Sequence, residues 1–171
     1  GIDAAIVAYP HGAAAPTVAA LRAAGVLVVD LSADFRLRDM ATYERWYGEA
    51  HAAPELIHRF AFGMPELYRD EIVAAQHVAS PGCYPTAASL ALAPLVAHGL
   101  VEPTGIVVNA VSGVSGAGRG LKTTSLFSEV DENVNAYGLL THRHTAEMEQ
   151  ALTHVGGTDV QVLFTPHLVP M

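Results

Sequence analysis

The stretch that decides the fold is Ala4-Ala5-Ile6-Val7-Ala8-Tyr9-Pro10-His11-Gly12, followed by Pro16 to Ala24 and then Val26-Leu27-Val28-Val29-Asp30-Leu31. The first run is short, apolar and closed by Pro10 and Gly12, as a strand buried on both faces is. The middle segment is Ala-rich. Pro16 suits a first helical turn and Gly25 the position just past a helix end. Val26 to Leu31 is a second buried strand. Strand, helix and strand with short joins make a βαβ unit, and hence part of a parallel sheet.

Working outward, Thr42 to Tyr47 reads as a short helix, Arg59 to Phe62 as a strand, Glu66 to Ala75 as a helix and His77 to Ala79 as a short strand. Ser80-Pro81-Gly82 is the sharpest break, and it divides the chain into residues 1–79 and 80–171. Beyond it, Thr86 to His98 has helical composition, with Pro94 expected to kink or shorten the helix. Thr104 to Val111 is β-branched and strand-like, Ser112 to Gly120 is a glycine-rich loop, and Thr145 to His154 is a helix closed by Gly156-Gly157. Asp159 to Phe164 alternates as a half-exposed strand does. The chain opens on a core strand and stops in another strand-like stretch, His167 to Pro170, which reads as part of a longer protein. The expected fold class is α/β: part of an open parallel sheet, an incomplete dinucleotide fold, followed by a separate α/β unit.

Bulk properties narrow the function. A net charge of −8 argues against wholesale binding to nucleic acid or an anionic membrane surface. No apolar run approaches the ~20 residues of a membrane span, and no secretory leader opens the chain. The single cysteine fits a reducing compartment, the cytoplasm.

Three stretches carry chemistry. In Ser80-Pro81-Gly82-Cys83-Tyr84-Pro85-Thr86 a tight turn presents Cys83 at a helix N-terminus, where the dipole and free N–H groups favour a thiolate. A thiolate attacks carbonyls far better than a thiol. The competing reading is an inert buried cysteine. In His142-Arg143-His144-Thr145-Ala146-Glu147, Glu147 lies three residues beyond His144 on the same helical face and can fix its tautomer. Arg143 can hold a carboxylate or phosphate with a bidentate fork. A solvated helix cap is the plain alternative, and the spacing gives no zinc site. Ser112 to Gly120 can form an anion-binding nest flanked by Arg119 and Lys122, or a structural turn. It is neither a Walker A loop nor G-x-G-x-x-G.

With Leu31-Ser32-Ala33-Asp34-Phe35-Arg36-Leu37 and Phe62-Gly63-Met64-Pro65-Glu66-Leu67, these motifs in this order resemble the N-acetyl-gamma-glutamyl-phosphate reductase family of arginine biosynthesis. That family is related to aspartate-semialdehyde dehydrogenase. The resemblance implies an NADP-binding Rossmann domain, a catalytic and dimerisation domain of the semialdehyde-dehydrogenase type, a small acyl-phosphate substrate and a homo-oligomer, dimer or tetramer. It implies that the cofactor's glycine-rich phosphate loop precedes Gly1. It makes Cys83 the nucleophile and His144 the acid/base. Arg119, His142 and Arg143 become substrate-binding residues, as does Glu147, which orients His144. Pro10, His11, Gly12, Ser115 and Gly116 become cofactor contacts, and no metal is expected. The alternatives are a paralogous aminoadipyl-phosphate reductase of lysine synthesis and an inactive fragment or binding module.

Overall fold

A computed structural model describes residues 1–171. The βαβ reading of the opening stretch holds. Strand β1 (Ala4–Val7), helix α1 (Ala15–Ala23) and strand β2 (Leu27–Asp30) form a parallel unit, with Ile6 opposite Val29. Gly25, at φ 74°, turns the chain from α1 into β2. That left-handed conformation is one that glycine adopts without a Cβ penalty. Helix α2 (Met40–Tyr47) is capped by Asp39, whose carboxylate accepts from Thr42 N at 2.7 Å. Strand β3 (Phe60–Phe62), helix α3 (Pro65–Ala74) and strand β4 (His77–Ala79) complete a four-stranded parallel sheet of order β1-β2-β4-β3. Its core gathers Val7, Val18, Val28, Phe35, Ile57 and Phe60.

The second sheet is mixed. Strand β5 (Ile106–Gly113) pairs in parallel with β7 (Val162–Val169), and the two-residue β6 (Asn135–Ala136) pairs antiparallel on the other side of β7. Helices α4 (Cys83–Ala97) and α6 (His144–Gly156) pack on each other and bury Tyr84, Val96, Met148, Leu152 and Phe164 in a second core. A one-turn helix α5 (Phe127–Val130) lies in the long connection from β5 to β6.

Two expectations are corrected. Helix α4 begins at Cys83, three residues earlier than its composition suggests, and runs through Pro94 to Ala97. Pro94 lies in the last turn, so the missing N–H removes one late backbone bond while the α6 contact holds the helix. The two strand-like stretches at 159–164 and 167–170 merge into one continuous strand, β7 (Val162–Val169), that passes through Pro166. A proline is tolerated in a strand where no ladder donor is needed. The Pro166 carbonyl faces the β6 side and accepts from Tyr137 N at 3.1 Å, beyond the end of that short strand.

The α4–α6 core sets a stability expectation. Leu152 is fully buried between the helices and β7. Leu152→Ala should lower the unfolding free energy of the full-length protein by about 2–5 kcal/mol, read from the urea midpoint.

Candidate active site

The two sheets meet at a cleft of about 730 Å³. Its floor comes from the C-terminal ends of β1 and β2, which deliver Tyr9, His11, Leu31 and Ser32. In open parallel sheets this is the edge at which ligands bind. The opposite wall comes from the start of α4, the loop after β5 and the residues leading into α6.

Cys83 is the first residue of α4 and is exposed to this cleft. The turn before it is fixed at both ends. Ser80 N donates to Asp30 O at 2.7 Å, and the Gly82 carbonyl accepts from Thr86 N and Thr86 Oγ1 at 3.0 and 2.9 Å. The N–H groups of Cys83 and Tyr84, in the first turn, have no intrahelical acceptor, and Pro85 has no N–H to offer. The sulfur therefore stands beside two donors that can meet a developing oxyanion.

His144 opens α6 and lines the same cleft, so the structure brings Cys83 and His144 together across 61 residues of sequence. The imidazole lies flat against Gly82. A Cβ on Gly82 would fall 2.8 Å from ring atoms Cδ2 and Cε1 and closer still to Nε2. Gly82 has an ordinary extended conformation, φ −66° and ψ 157°. Close approach of the ring, rather than backbone strain, is what requires glycine here. Burial, followed by the positive side chains of Arg36 and Arg143 and the neighbouring His142, pushes the His144 pKa down to about 3, with burial the largest cause and His142 second. The ring is neutral at physiological pH.

His142 stands beside it, ring centroids 4.7 Å apart. Its Nδ1 accepts from His144 N at 3.2 Å, so in the neutral ring Nε2 carries the proton. Burial and then Arg143 lower its pKa. Tyr84 and Tyr137, whose hydroxyls lie 3.0 Å apart, complete this wall. Burial is the main cause that raises the Tyr137 pKa. Arg143 is exposed, lines the cleft and sits 5.0 Å over the Tyr47 ring with no carboxylate partner.

Not every expected residue faces the cleft. Arg119 is exposed but outside it, and Lys122, three residues on, lines it instead. Gly116 lines the cleft, and Ser115 does not. Gly116 is another close approach, since a Cβ there would collide with Ser112 Oγ. His11 lines the cleft but is already engaged: Nδ1 is 2.9 Å from Asp34 Oδ1, Nε2 is 3.3 Å from Glu49 Oε1, and its ring lies 4.1 Å from that of Tyr47. Pro10 and Gly12 stay off the cleft. Gly12, at φ 79°, donates its N–H to Asp34 Oδ1 at 2.7 Å. Burial pushes the Asp34 carboxyl up, but His11 and the N–H groups of Gly12 and Ala14 outweigh it, leaving the carboxyl below its usual range.

Glu147 departs from its expected position. It is fully buried, does not line the cleft, and its Oε1 is 3.9 Å from His144 Nε2, beyond hydrogen-bond reach. Its Oε2 instead accepts from Gly82 N at 2.9 Å, and its Oε1 pairs with Arg36 Nη1 at 3.1 Å. Burial raises its pKa, opposed first by Arg36 and then by the Gly82 N–H. Tyr137 and Tyr84 were not identified as site residues from sequence, since nothing in their spacing distinguishes them from core aromatics. For Arg36 the signal was present: two charges, Asp34 and Arg36, flank a phenylalanine just past a buried strand.

Comparison with known proteins gives consistent results. The model for the semialdehyde dehydrogenase NAD binding domain matches residues 1–75, and that for the semialdehyde dehydrogenase dimerisation domain matches residues 83–171. Curated relatives named N-acetyl-gamma-glutamyl-phosphate reductase include one from Symbiobacterium thermophilum, 52% identical over all of this chain and 49% of its own length. Another, from Moorella thermoacetica, is 50% identical over 96% of this chain and 48% of its own length. The chain spans about half the length of the curated relatives it matches. Aspartate semialdehyde dehydrogenase II from Vibrio cholerae shares the fold, with a TM-score of 0.63 at 16% identity, covering 98% of this chain and 52% of that one.

Two measurements follow from the geometry. Gly82→Ala should displace the His144 ring and lower steady-state turnover of the full-length protein by about 10², the usual cost of an ~1 Å misplacement. The depressed pKa of His144 also enters stability. Unfolded His144 binds a proton near its ordinary pKa of about 6.5 and the folded ring does not. Its contribution is therefore complete above that pH and is lost as pH falls towards 3. His144→Asn should reduce the loss of thermal stability between pH 6.5 and 4, measured by calorimetry.

Proposed function

Because the chain belongs to the semialdehyde dehydrogenase family, we propose that it carries the reaction centre of an N-acetyl-gamma-glutamyl-phosphate reductase, which makes N-acetylglutamate semialdehyde through a thioester on Cys83. The observation that carries this reading is the pairing of an exposed Cys83 at a helix N-terminus with the neutral His144 ring held against Gly82. Residues 1–79 form the dinucleotide side and residues 80–171 the catalytic side.

The chemistry follows from the residues. His144 accepts the thiol proton as Cys83 Sγ bonds to the acyl carbon. The N–H groups of Cys83 and Tyr84 stabilise the tetrahedral oxyanion, and phosphate departs as its C–O bond breaks. When bound, NADPH supplies the hydride that reduces the thioester. The protonated His144 gives its proton to the resulting oxygen. It takes that proton back as the C–S bond breaks, leaving the aldehyde and a Cys83 thiolate. Arg143 and Lys122, cations on the cleft without carboxylate partners, serve the substrate carboxylate and phosphate. His142 lies beside them as a neutral donor.

The residues fit a nicotinamide dinucleotide at one end of the cleft. The C-terminal strand ends of β1 and β2 bring Tyr9, His11 and Ser32, and Gly116 lines the same cleft from the loop after β5, with Ser112 Oγ filling the place of its missing side chain. These residues would hold the cofactor. NADP is the proposed form, the cytoplasm the proposed compartment and a homo-oligomer the proposed assembly, which accords with the dimerisation-domain match.

The test is phosphate-dependent NADP reduction by the full-length protein with N-acetylglutamate semialdehyde. Cys83→Ser should abolish it, because an unactivated hydroxyl is a far poorer nucleophile. His144→Asn should lower turnover by ~10²–10⁴ with the fold retained. Near-normal turnover by Cys83→Ser rejects the thioester.

A further inference from the structure

Arg36 lies in the segment between β2 and α2, 111 residues from Glu147, yet its side chain is only 10% exposed and ends at the buried carboxylate beneath the nucleophile turn. Nη1 donates to Glu147 Oε1 at 3.1 Å, and Nη2 donates to Leu31 O at 2.9 Å, at the end of β2. The backbone of the same residue is held as well. Gln150, one turn further along α6, donates to Arg36 O at 3.0 Å and accepts from Arg38 N at 2.8 Å. Arg36 is thus fixed to α6 through both main chain and side chain.

The consequence lies at Glu147. One oxygen is committed to Arg36 and the other to Gly82 N, while His144 Nε2 stays 3.9 Å away. Resting on the thioester reading above, we propose that Arg36 is a positioning residue for the reaction. It holds Glu147 under the Gly82 N–H, which orients the turn carrying Cys83, and it keeps the carboxylate from capturing the His144 imidazole. The arrangement is the reverse of a triad in which a carboxylate binds the histidine directly. Here the guanidinium occupies the carboxylate, and the ring is held by packing against Gly82.

The charged and titratable groups around this unit are few. Arg36 and Tyr47 face Glu147, and His142, Arg143, Arg36, Tyr84 and Glu147 itself face His144. Without the guanidinium, Glu147 Oε1 is released towards the remaining side-chain donors beside it, His144 Nε2 at 3.9 Å and the buried, unpartnered Tyr47 hydroxyl. A carboxylate on the imidazole stabilises the protonated ring. The free base then appears only at higher pH.

In the full-length enzyme, Arg36→Met should move the acid limb of the kcat/KM profile upward by about 1 pH unit or more, so that activity at the foot of the limb falls about tenfold. The ¹³C shift of the His144 ring should titrate at the same raised pH. Arg36→Lys should shift the limb in the same direction by less, since one ammonium lacks the planar fork that serves Glu147 and Leu31 O together. It carries the test if the methionine variant does not fold. Arg36→Met combined with Glu147→Gln should return the limb towards its original position, because no carboxylate remains to capture the ring. A residue that merely supports the fold would lower activity with the limb and the His144 titration unmoved, and that result overturns the proposal. The two readings fail separately: turnover by Cys83→Ser rejects the thioester, whereas an unmoved limb in an enzyme that needs Cys83 rejects only the role of Arg36.

Discussion

Glu147 has no exposed surface, and the demand that a buried carboxylate be matched organises everything around it. Withdrawing such a charge from water costs several kcal/mol unless partners satisfy it (about that order after relaxation). Two groups meet the demand from different parts of the chain. Arg36 comes from the first sheet unit, and the Gly82 N–H comes from the turn at the head of α4. The carboxylate itself belongs to α6. A single side chain therefore ties together the parallel sheet, the nucleophile helix and the histidine helix. Removing any one partner would leave the others with an unmatched charge or donor.

This tie explains how a cleft between two sheets keeps reactive groups in register. Cys83 takes its place from the end of β4 and the start of α4, and His144 from the start of α6. The α4–α6 core sets the distance between the helices, and the bare backbone of Gly82 lets the imidazole reach the level of the turn. The wall is rich in neutral aromatic groups: Tyr84 and His142 meet the His144 ring edge-on at the cleft, and Tyr137 packs in the same way on His142. The result is a neutral base beside an exposed thiol, with Arg143 and Lys122 as the cations facing the same space.

Most of the fold was legible because its signals are local. The apolar runs at 4–9 and 26–31, with Gly25 between helix and strand, needed no tertiary information to be read as βαβ. Where the structure differs, a local rule is outweighed by context. Pro94, expected to kink or shorten its helix, falls in the final turn, and Pro166 lies inside a strand where the ladder needs only its carbonyl. In the site, Cys83, His142, Arg143 and His144 were visible because their motifs are compact. Glu147 was assigned by i,i+3 spacing to His144. Spacing places side chains on one face but does not reveal that Arg36 competes from 111 residues away. Lys122 rather than Arg119 faces the cleft because the path of the glycine loop, not its composition, decides which cation turns inward. Tyr137 carried no signal at all.

The central claim, that Cys83 becomes acylated, is open to direct observation. The full-length protein, given N-acetyl-gamma-glutamyl phosphate without reduced cofactor, should acquire one acyl group, located on Cys83 by peptide mass mapping. Hydroxylamine should remove it, as it removes a thioester, and added NADPH should discharge it as semialdehyde. An enzyme that turns over this substrate with its Cys83 peptide unmodified throughout would contradict the account.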